Sequence, residues 1–134
     1  MGRDKMFVTL AALVVSHLAV AISHGSAHVA AGVNVSPVAM AFIVAVILVA
    51  PPAGLLWMLV NRRLGARAIA FSLAGALLFG LVNHFVIPGA DRVDHVAAAW
   101  RGWFGTTATL LAVTESAGAL LAVAYERRTA RRIV

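Results

Sequence analysis

Residues 6–61 read MFVTLAALVVSHLAVAISHGSAHVAAGVNVSPVAMAFIVAVILVAPPAGLLWMLVN and contain no Asp, Glu, Lys or Arg. This stretch is long enough for two helical crossings of a bilayer, each of about 20 residues. Ser36 and Pro37, in its middle, are typical of an N-cap and a first-turn proline, and they predict the start of a second helix. Pro51 and Pro52 remove two backbone donors, so we expect this helix to bend near them.

Two further apolar segments follow, and together the four predict an all-α membrane protein: a single domain built as a four-helix transmembrane bundle. The predicted helices cover residues 6–26, 37–60, 68–87 and 103–125. Helices are expected because a membrane sheet must close into a barrel, and these segments lack the alternating polar residues of barrel strands. The composition agrees, since 12% of the 134 residues are charged, about half the share in soluble domains.

The basic residues predict the orientation of the bundle. All but Arg92 and Arg101 of the eleven Lys and Arg residues lie before the first helix, between the second and third, or after the fourth. The positive-inside rule therefore predicts that both termini are cytoplasmic. Because these charges form short clusters between apolar segments, they also argue against nucleic-acid binding, despite the net charge of +6. We expect the lipid bilayer as the partner, in a bacterial or archaeal cytoplasmic membrane.

The first apolar segment has two interpretations. A basic start, an apolar stretch and small residues at 21–27 are also features of a cleavable signal peptide. The apolar run is long for a signal peptide and is interrupted by His17, so we favour an uncleaved first helix.

The chain has five histidines, all predicted at the bilayer midplane or towards its non-cytoplasmic side. They are His17, His24, His28, His84 and His95. On the first helix, His24 and His28 lie about 20° to either side of His17, which predicts one narrow stripe of imidazoles. The i, i+4 spacing of His24 and His28 lets both side chains reach one ion.

We expect His24, His28 and His84 to converge near the outer membrane boundary. Imidazoles beside a carboxylate suit zinc or copper, and the absence of cysteine excludes a thiolate site. Alternatively, His84 and a facing histidine of the first helix, His24 or His17, could be axial ligands of haem. The candidate ligands of a metal or haem are thus His24, His28, His84, His95 and His17. The residues predicted to lie beside them are Asp94, Asp91 and Asn83.

The two aspartates of the outer loop also have a plainer interpretation. Asp91 and Asp94 have the spacing of a helix cap and its third-position partner, which predicts a short interfacial helix that runs through Val96 to Trp100. We favour capping for both residues, with Asp94 as the candidate that orients a ligating histidine.

Glu115 is predicted near the centre of the fourth helix, at the depth of His17. A charged, unpaired carboxylate there costs several kcal/mol, so we expect the two side chains to pair. The pair could be a structural hydrogen bond or part of a proton relay, and the sequence supports both equally.

Three functions follow from these residues. The leading hypothesis is a histidine-rich metal or haem site that faces the non-cytoplasmic side and handles a metal ion or electrons. The second is an accessory or assembly subunit whose polar contacts only hold helices together. The third is a small proton-coupled transporter that uses Glu115 and His17. A chain this small favours a homo-oligomer or a larger membrane complex in any of these cases. Phosphate-loop, nucleophile-elbow and HExxH motifs are absent, so no enzymatic reaction is predicted.

Overall fold

The computed structural model describes residues 2–130, and within this range it is helical with no strand. Four helices are long and apolar enough to cross a membrane, as predicted. We label them α1 (Arg3–Ala30), α2 (Pro37–Val60), α3 (Arg62–Val86) and α4 (Ala98–Ala130).

The helices extend beyond the predicted apolar segments, because hydropathy marks the membrane span and not the hydrogen-bonded ends of a helix. α3 begins at Arg62 and not at residue 68, since the Asn61 side chain accepts a hydrogen bond from the Leu64 amide and caps the helix. α1 continues to Ala30, past the predicted end at residue 26, and so keeps His28 within the helix.

The start of α2 is the predicted one. Pro37 occupies its first turn, and Ser36 Oγ accepts a hydrogen bond of 3.2 Å from the Ala39 amide. This side-chain bond satisfies one of the backbone donors that every helix start leaves without an intrahelical partner.

Farther along α2, the proline pair at which the sequence predicted a bend follows a π-helical segment, Ile43–Val49. In a π-helix each carbonyl accepts from the N–H five residues later. Because proline has no N–H, the carbonyls of Val46 and Ile47 receive no backbone hydrogen bond from the proline pair.

Side chains of two neighbouring helices donate to these carbonyls instead. Ser72 of α3 donates to the Val46 carbonyl at 2.7 Å, and His17 Nε2 of α1 donates to the Ile47 carbonyl at 3.1 Å. The proline pair therefore links α2 to both α3 and α1 through hydrogen bonds that a regular helix could not make.

The helices do not pack evenly around the bundle. α4 packs against both α1 and α3, and α3 packs against α2, whereas α1 and α2 touch at only a few positions. The contact of α2 with α3 is close because it contains Gly54 and Gly65; a Cβ atom added to Gly65 would lie 2.5 Å from the Gly54 carbonyl oxygen. A gap is left between α1 and α2.

The two ends of the bundle differ in charge. At one end, which we call the arginine end, Glu126 accepts hydrogen bonds from Arg63 at 3.1 Å and Arg67 at 2.9 Å. The opposite end, the histidine end, contains residues 31–36 and 87–97. Arg131 and Arg132, which also belong to the predicted basic cluster, lie outside the described residues.

Candidate metal centre

Three imidazoles meet inside the histidine end of the bundle. His24 Nε2 of α1 lies 3.1 Å from His84 Nε2 of α3 and 3.2 Å from His28 Nε2 of α1. One ligand atom from each of the three residues can be chosen such that all lie within 4.8 Å of one another. The sequence predicted that these residues converge, and the structure brings them together.

The backbone of α3 changes where it presents His84. Its last turn, Val82–Val86, is π-helical, and the Ile87 amide donates to the Val82 carbonyl at 2.8 Å. His84 lies within this turn and is buried, with 6% of the residue exposed. Single π-helical turns inside α-helices are frequent at functional sites.

The hydrogen bonds of His24 fix which of its nitrogens carries the proton. Thr107 Oγ1 lies 2.9 Å from the Trp103 carbonyl and 3.0 Å from the Phe104 carbonyl, so its own proton is directed at the backbone of α4. Thr107 must then accept the 2.8 Å hydrogen bond from His24 Nδ1. In the neutral ring, Nε2 of His24 therefore has a free lone pair that faces the other two imidazoles.

His84 has a similar arrangement. Its Nδ1 lies 3.1 Å from the Asp91 carbonyl and 3.1 Å from Asp91 Oδ1, and both oxygens are acceptors. Nδ1 is therefore the donor, and Nε2 of the neutral ring presents a lone pair to His24. Ligating histidines in metal sites commonly use their second nitrogen in this way.

Asp91 stands between two of the imidazoles. Besides its contact with His84, Oδ1 lies 3.3 Å from His28 Nε2. Burial acts to raise the pKa of the Asp91 carboxyl, but the hydrogen bond from His84 and the attraction of the neighbouring imidazoles when they are protonated outweigh it and hold the pKa below its ordinary value. The carboxylate is thus stabilised in its charged form beside the cluster.

An aromatic ring closes one side of the cluster. Phe104 of α4 is fully buried, and its ring centroid lies 4.7 Å from that of His24, 4.8 Å from that of His28 and 5.4 Å from that of His84. It excludes water from that side and, with Thr107, limits the rotation of the imidazoles.

The structure does not bring three other candidates into this cluster, His95 and Asp94 of the outer loop and Asn83 of α3. His95 is exposed and its Nδ1 donates to the Gly89 carbonyl at 2.8 Å. Asp94 pairs with Arg92 at 2.8 Å. Asn83 donates to the Phe79 carbonyl of its own helix at 2.8 Å.

The favoured capping interpretation of the aspartates is not realised. The segment Val93–His95 is a single 3-10 turn whose N-cap is Arg92, without a side-chain hydrogen bond. Asp91 instead faces the imidazoles, with its Oδ1 atom 3.1 Å from His84 Nδ1. Asp94 pairs with the guanidinium of Arg92. Helix α4 then begins at Ala98, within the range predicted for the short interfacial helix.

His17 and Glu115 lie deeper in the bundle. His17 Nδ1 is 3.8 Å from Glu115 Oε1, and both side chains are almost completely buried. Because His17 Nε2 donates to the Ile47 carbonyl, its Nδ1 faces the carboxyl group as an acceptor without a hydrogen-bond partner among the described residues. The structure thus brings together the pair that the sequence suggested, at a distance longer than a direct hydrogen bond.

A cavity of about 550 Å³ extends from the histidine triad to Glu115. His24, His28, His84 and Asp91 line one part of it, and Glu115 lines another. Most of the remaining lining is apolar and comes from all four helices. The three imidazoles therefore border a space large enough for a small organic molecule.

Sequence reasoning missed Thr107 and Phe104, which complete the cluster. A helical projection gives a usable signal for Phe104, since it lies about 20° from Glu115 around the axis of α4. Thr107 could have been suspected as a polar side chain one turn after Phe104. Neither pattern reveals that Thr107 contacts His24.

Comparison of the chain with protein-family models, curated proteins and solved structures finds no significant match. What this site does is therefore inferred from its own geometry.

Proposed function

We propose that this protein is a membrane protein that binds one Zn²⁺ or Cu²⁺ ion through the Nε2 atoms of His24, His28 and His84. The observation that carries the proposal is the convergence of these nitrogens while the Nδ1 protons of His24 and His84 are used elsewhere. Buried lone pairs that face one another repel unless a cation or a proton lies between them.

Two of the three nitrogen–nitrogen separations suit a single ion. Zinc–imidazole bonds of about 2.0–2.1 Å at tetrahedral angles place two ligand nitrogens about 3.4 Å apart. The two measured separations, 3.1 Å and 3.2 Å, are within a few tenths of an ångström of this value. A shared proton would satisfy only one of the two contacts of His24, whereas an ion satisfies all three nitrogens.

Asp91 supports the same function as an orienting group. Its carbonyl oxygen accepts the hydrogen bond from His84 Nδ1, and its Oδ1 lies 3.1 Å from the same nitrogen, an arrangement that directs Nε2 at the ion and increases its basicity. The negative charge also favours a divalent cation in a site of three neutral ligands. Neutral nitrogen ligands without thiolate favour zinc or divalent copper over softer or harder ions.

The geometry favours an ion over haem. The axial nitrogens of a haem lie on opposite faces of the macrocycle, about 4 Å apart, which is twice a metal–nitrogen bond. His24 and His84 are closer than this, and their ring planes are inclined by 76° with centroids 4.7 Å apart. A macrocycle between them would require the helices to separate.

Three protein ligands give a tetrahedral ion one further ligand from outside the triad. Catalytic zinc sites have this composition, whereas structural sites use four protein ligands. The cavity beside His24 and His28 supports a site that exchanges a ligand over one that only holds helices together. With the arginine end in the cytoplasm, as the positive-inside rule predicts, the ion would be handled in the non-cytoplasmic half of the bilayer.

The test is metal analysis of protein purified in mild detergent, loaded with Zn²⁺ or Cu²⁺ and passed over a chelating resin. We expect one ion per chain, with X-ray absorption showing nitrogen ligands at about 2.0–2.1 Å. His84→Ala should lose the ion, and the control His95→Ala should keep it, since His95 is exposed and bonded to the Gly89 carbonyl. Equal metal content in the wild type and in folded His84→Ala would overturn the proposal.

A further inference from the structure

The cavity beside the three imidazoles has a polar region at the triad and a long apolar wall, and the Glu115 carboxyl group lies in another part of its lining. The polar region is formed by the histidine triad and Asp91, and the wall by aliphatic and aromatic side chains. Among the apolar residues of this wall are Ile43, Ile47, Leu48, Phe79 and Leu111. A volume of about 550 Å³ lies within the range of sites for small organic ligands.

The cavity lies at the gap between α1 and α2. These two helices hardly touch, and residues of both line it, among them Gly25 of α1 and Ile43 of α2. Its lining also includes the exposed apolar side chains of Ile22, Val29 and Met40. In a bilayer such side chains face acyl chains, so the gap gives a route between the cavity and the lipid.

The charge of the metal site determines which kind of polar group is favoured in a ligand that enters through the gap. A divalent ion with three neutral imidazoles has two positive charges, and Asp91, the carboxylate in contact with the triad, cancels one of them. An anionic oxygen is therefore favoured as the fourth ligand. The apolar wall requires that the rest of the ligand be hydrocarbon, because polar groups there would lose water without gaining a partner.

We propose that the cavity binds a single-chain amphiphile from the bilayer, with an anionic oxygen head on the metal ion and its hydrocarbon chain along the apolar wall. This inference rests on the proposed metal site. It predicts that the head and the chain are recognised by different parts of the protein, so the two contributions are separable by substitution.

A substitution at Gly25 can exclude the hydrocarbon chain of the ligand from the cavity while the three histidines stay unchanged. Gly25 lines the cavity, and a Cβ atom added to it meets nothing within 4 Å. Gly25→Phe therefore narrows the gap without an immediate clash. Gly102→Phe is a matched control, because Gly102 is also helical with open space around its Cβ position but does not line the cavity.

The experiment uses the full chain in nanodiscs, loaded with Co²⁺ as a spectroscopic substitute. Acetohydroxamate probes the head alone, and octanohydroxamate probes the head and chain; binding is followed in the visible absorption bands of the cobalt ion. We expect Gly25→Phe to weaken octanohydroxamate at least tenfold while acetohydroxamate binds as in the wild type. Gly102→Phe should bind both probes normally, which controls for partition of the longer probe into lipid.

The outcomes separate this inference from the proposed function. If the wild type binds none of cobalt, zinc and copper, the metal site and the amphiphile site are both wrong. If cobalt is bound but Gly25→Phe affects both probes equally or neither, the chain does not lie in the cavity and only this inference is overturned. If Gly25→Phe instead converts a dimer into a monomer, a second copy of the chain fills the gap, which also overturns it.

Discussion

His24 Nε2 and His84 Nε2 lie 3.1 Å apart, although the Nδ1–H of each ring already donates a hydrogen bond to another residue. The acceptor is Thr107 for His24 and the Asp91 carbonyl for His84. The two partners come from different parts of the chain, the helix α4 and the loop after α3. Together they hold both imidazoles in the tautomer that directs lone pairs at a common point. The arrangement is thus compatible with a metal ion, and neither Thr107 nor Asp91, which produce it, is among the three proposed ligands.

Removal of the Thr107 hydroxyl tests this organisation. Thr107→Val retains the side-chain shape but leaves the buried Nδ1 proton of His24 without an acceptor. We expect the affinity for Zn²⁺ to fall about tenfold to 100-fold, the usual effect of losing a group that orients a ligating histidine. The measurement is titration against a competing zinc chelator.

Thr109→Val is the control for this substitution. Thr109 is exposed, and its hydroxyl bonds only to the Gly105 carbonyl of its own helix at 2.9 Å. Its zinc affinity should equal that of the wild type. If Thr107→Val also binds zinc as tightly as the wild type, the hydroxyl does not orient His24.

The Asp91 carboxylate predicts how the metal-free protein responds to acid. Because its pKa is held below the ordinary value, the folded protein binds fewer protons at this group than the unfolded chain does. Its contribution to stability is complete above pH of about 4 and is lost as the pH falls through the lowered pKa. We expect Asp91→Asn to show a smaller loss of stability than the wild type as the pH falls below about 4.

Thermal unfolding of chelator-treated protein at a series of pH values measures this difference. Asp94→Asn serves as the control, since Asp94 pairs with Arg92 outside the histidine cluster. Its profile should follow that of the wild type. Parallel profiles for Asp91→Asn and the wild type would show that the carboxylate contributes no pH-dependent stability.

Substitution of Glu115 tests whether zinc binding at the triad is independent of the deeper His17–Glu115 pair. The carboxyl group lies beside His17 and not within the histidine triad, so Glu115→Gln should bind Zn²⁺ with unchanged stoichiometry and affinity. His17→Ala should lower the unfolding midpoint, because the Ile47 carbonyl loses its donor. A loss of zinc from folded Glu115→Gln would show that the ion depends on the deeper pair as well.

Much of the fold could be predicted because its causes are local in sequence. The four membrane helices follow from apolar runs of sufficient length, and the stripe of His17, His24 and His28 follows from 3.6 residues per turn. Convergence with His84 followed from the expectation that α1 and α3 both face the polar interior. The helix ends were less accurate, since Asn61 caps α3 well before its apolar segment begins.

The remaining features depend on contacts between distant segments. Whether Asp91 caps a turn or faces His84 is decided by the path of the outer loop, which no periodicity reports. Thr107 contributes through a hydrogen bond to a residue on another helix. The proline pair predicted a bend in the helix, but the sequence did not show that Ser72 and His17 would donate hydrogen bonds to the Val46 and Ile47 carbonyls.

The link between the proline pair and Ser72 can be measured as a coupling energy. Ser72→Ala removes the donor to the Val46 carbonyl and should destabilise the protein by about 1 kcal/mol. In the Pro51→Ala background, residue 51 regains an N–H that can bond to the same carbonyl in the π-helical register. Ser72→Ala should therefore have a smaller effect there.

Unfolding in mixed micelles of the wild type, both single variants and the double variant gives this coupling. Ser116→Ala provides the comparison, because Ser116 Oγ bonds to the Ala112 carbonyl of its own helix at 2.7 Å and has no contact with α2 through that bond. The effect of Ser116→Ala on stability should be the same in the wild-type and Pro51→Ala backgrounds. Equal effects of Ser72→Ala in the two backgrounds would mean that the prolines do not create the need for the Ser72 hydrogen bond. A smaller effect in the Pro51→Ala background would establish that the Ser72 hydroxyl replaces the backbone donor that Pro51 lacks.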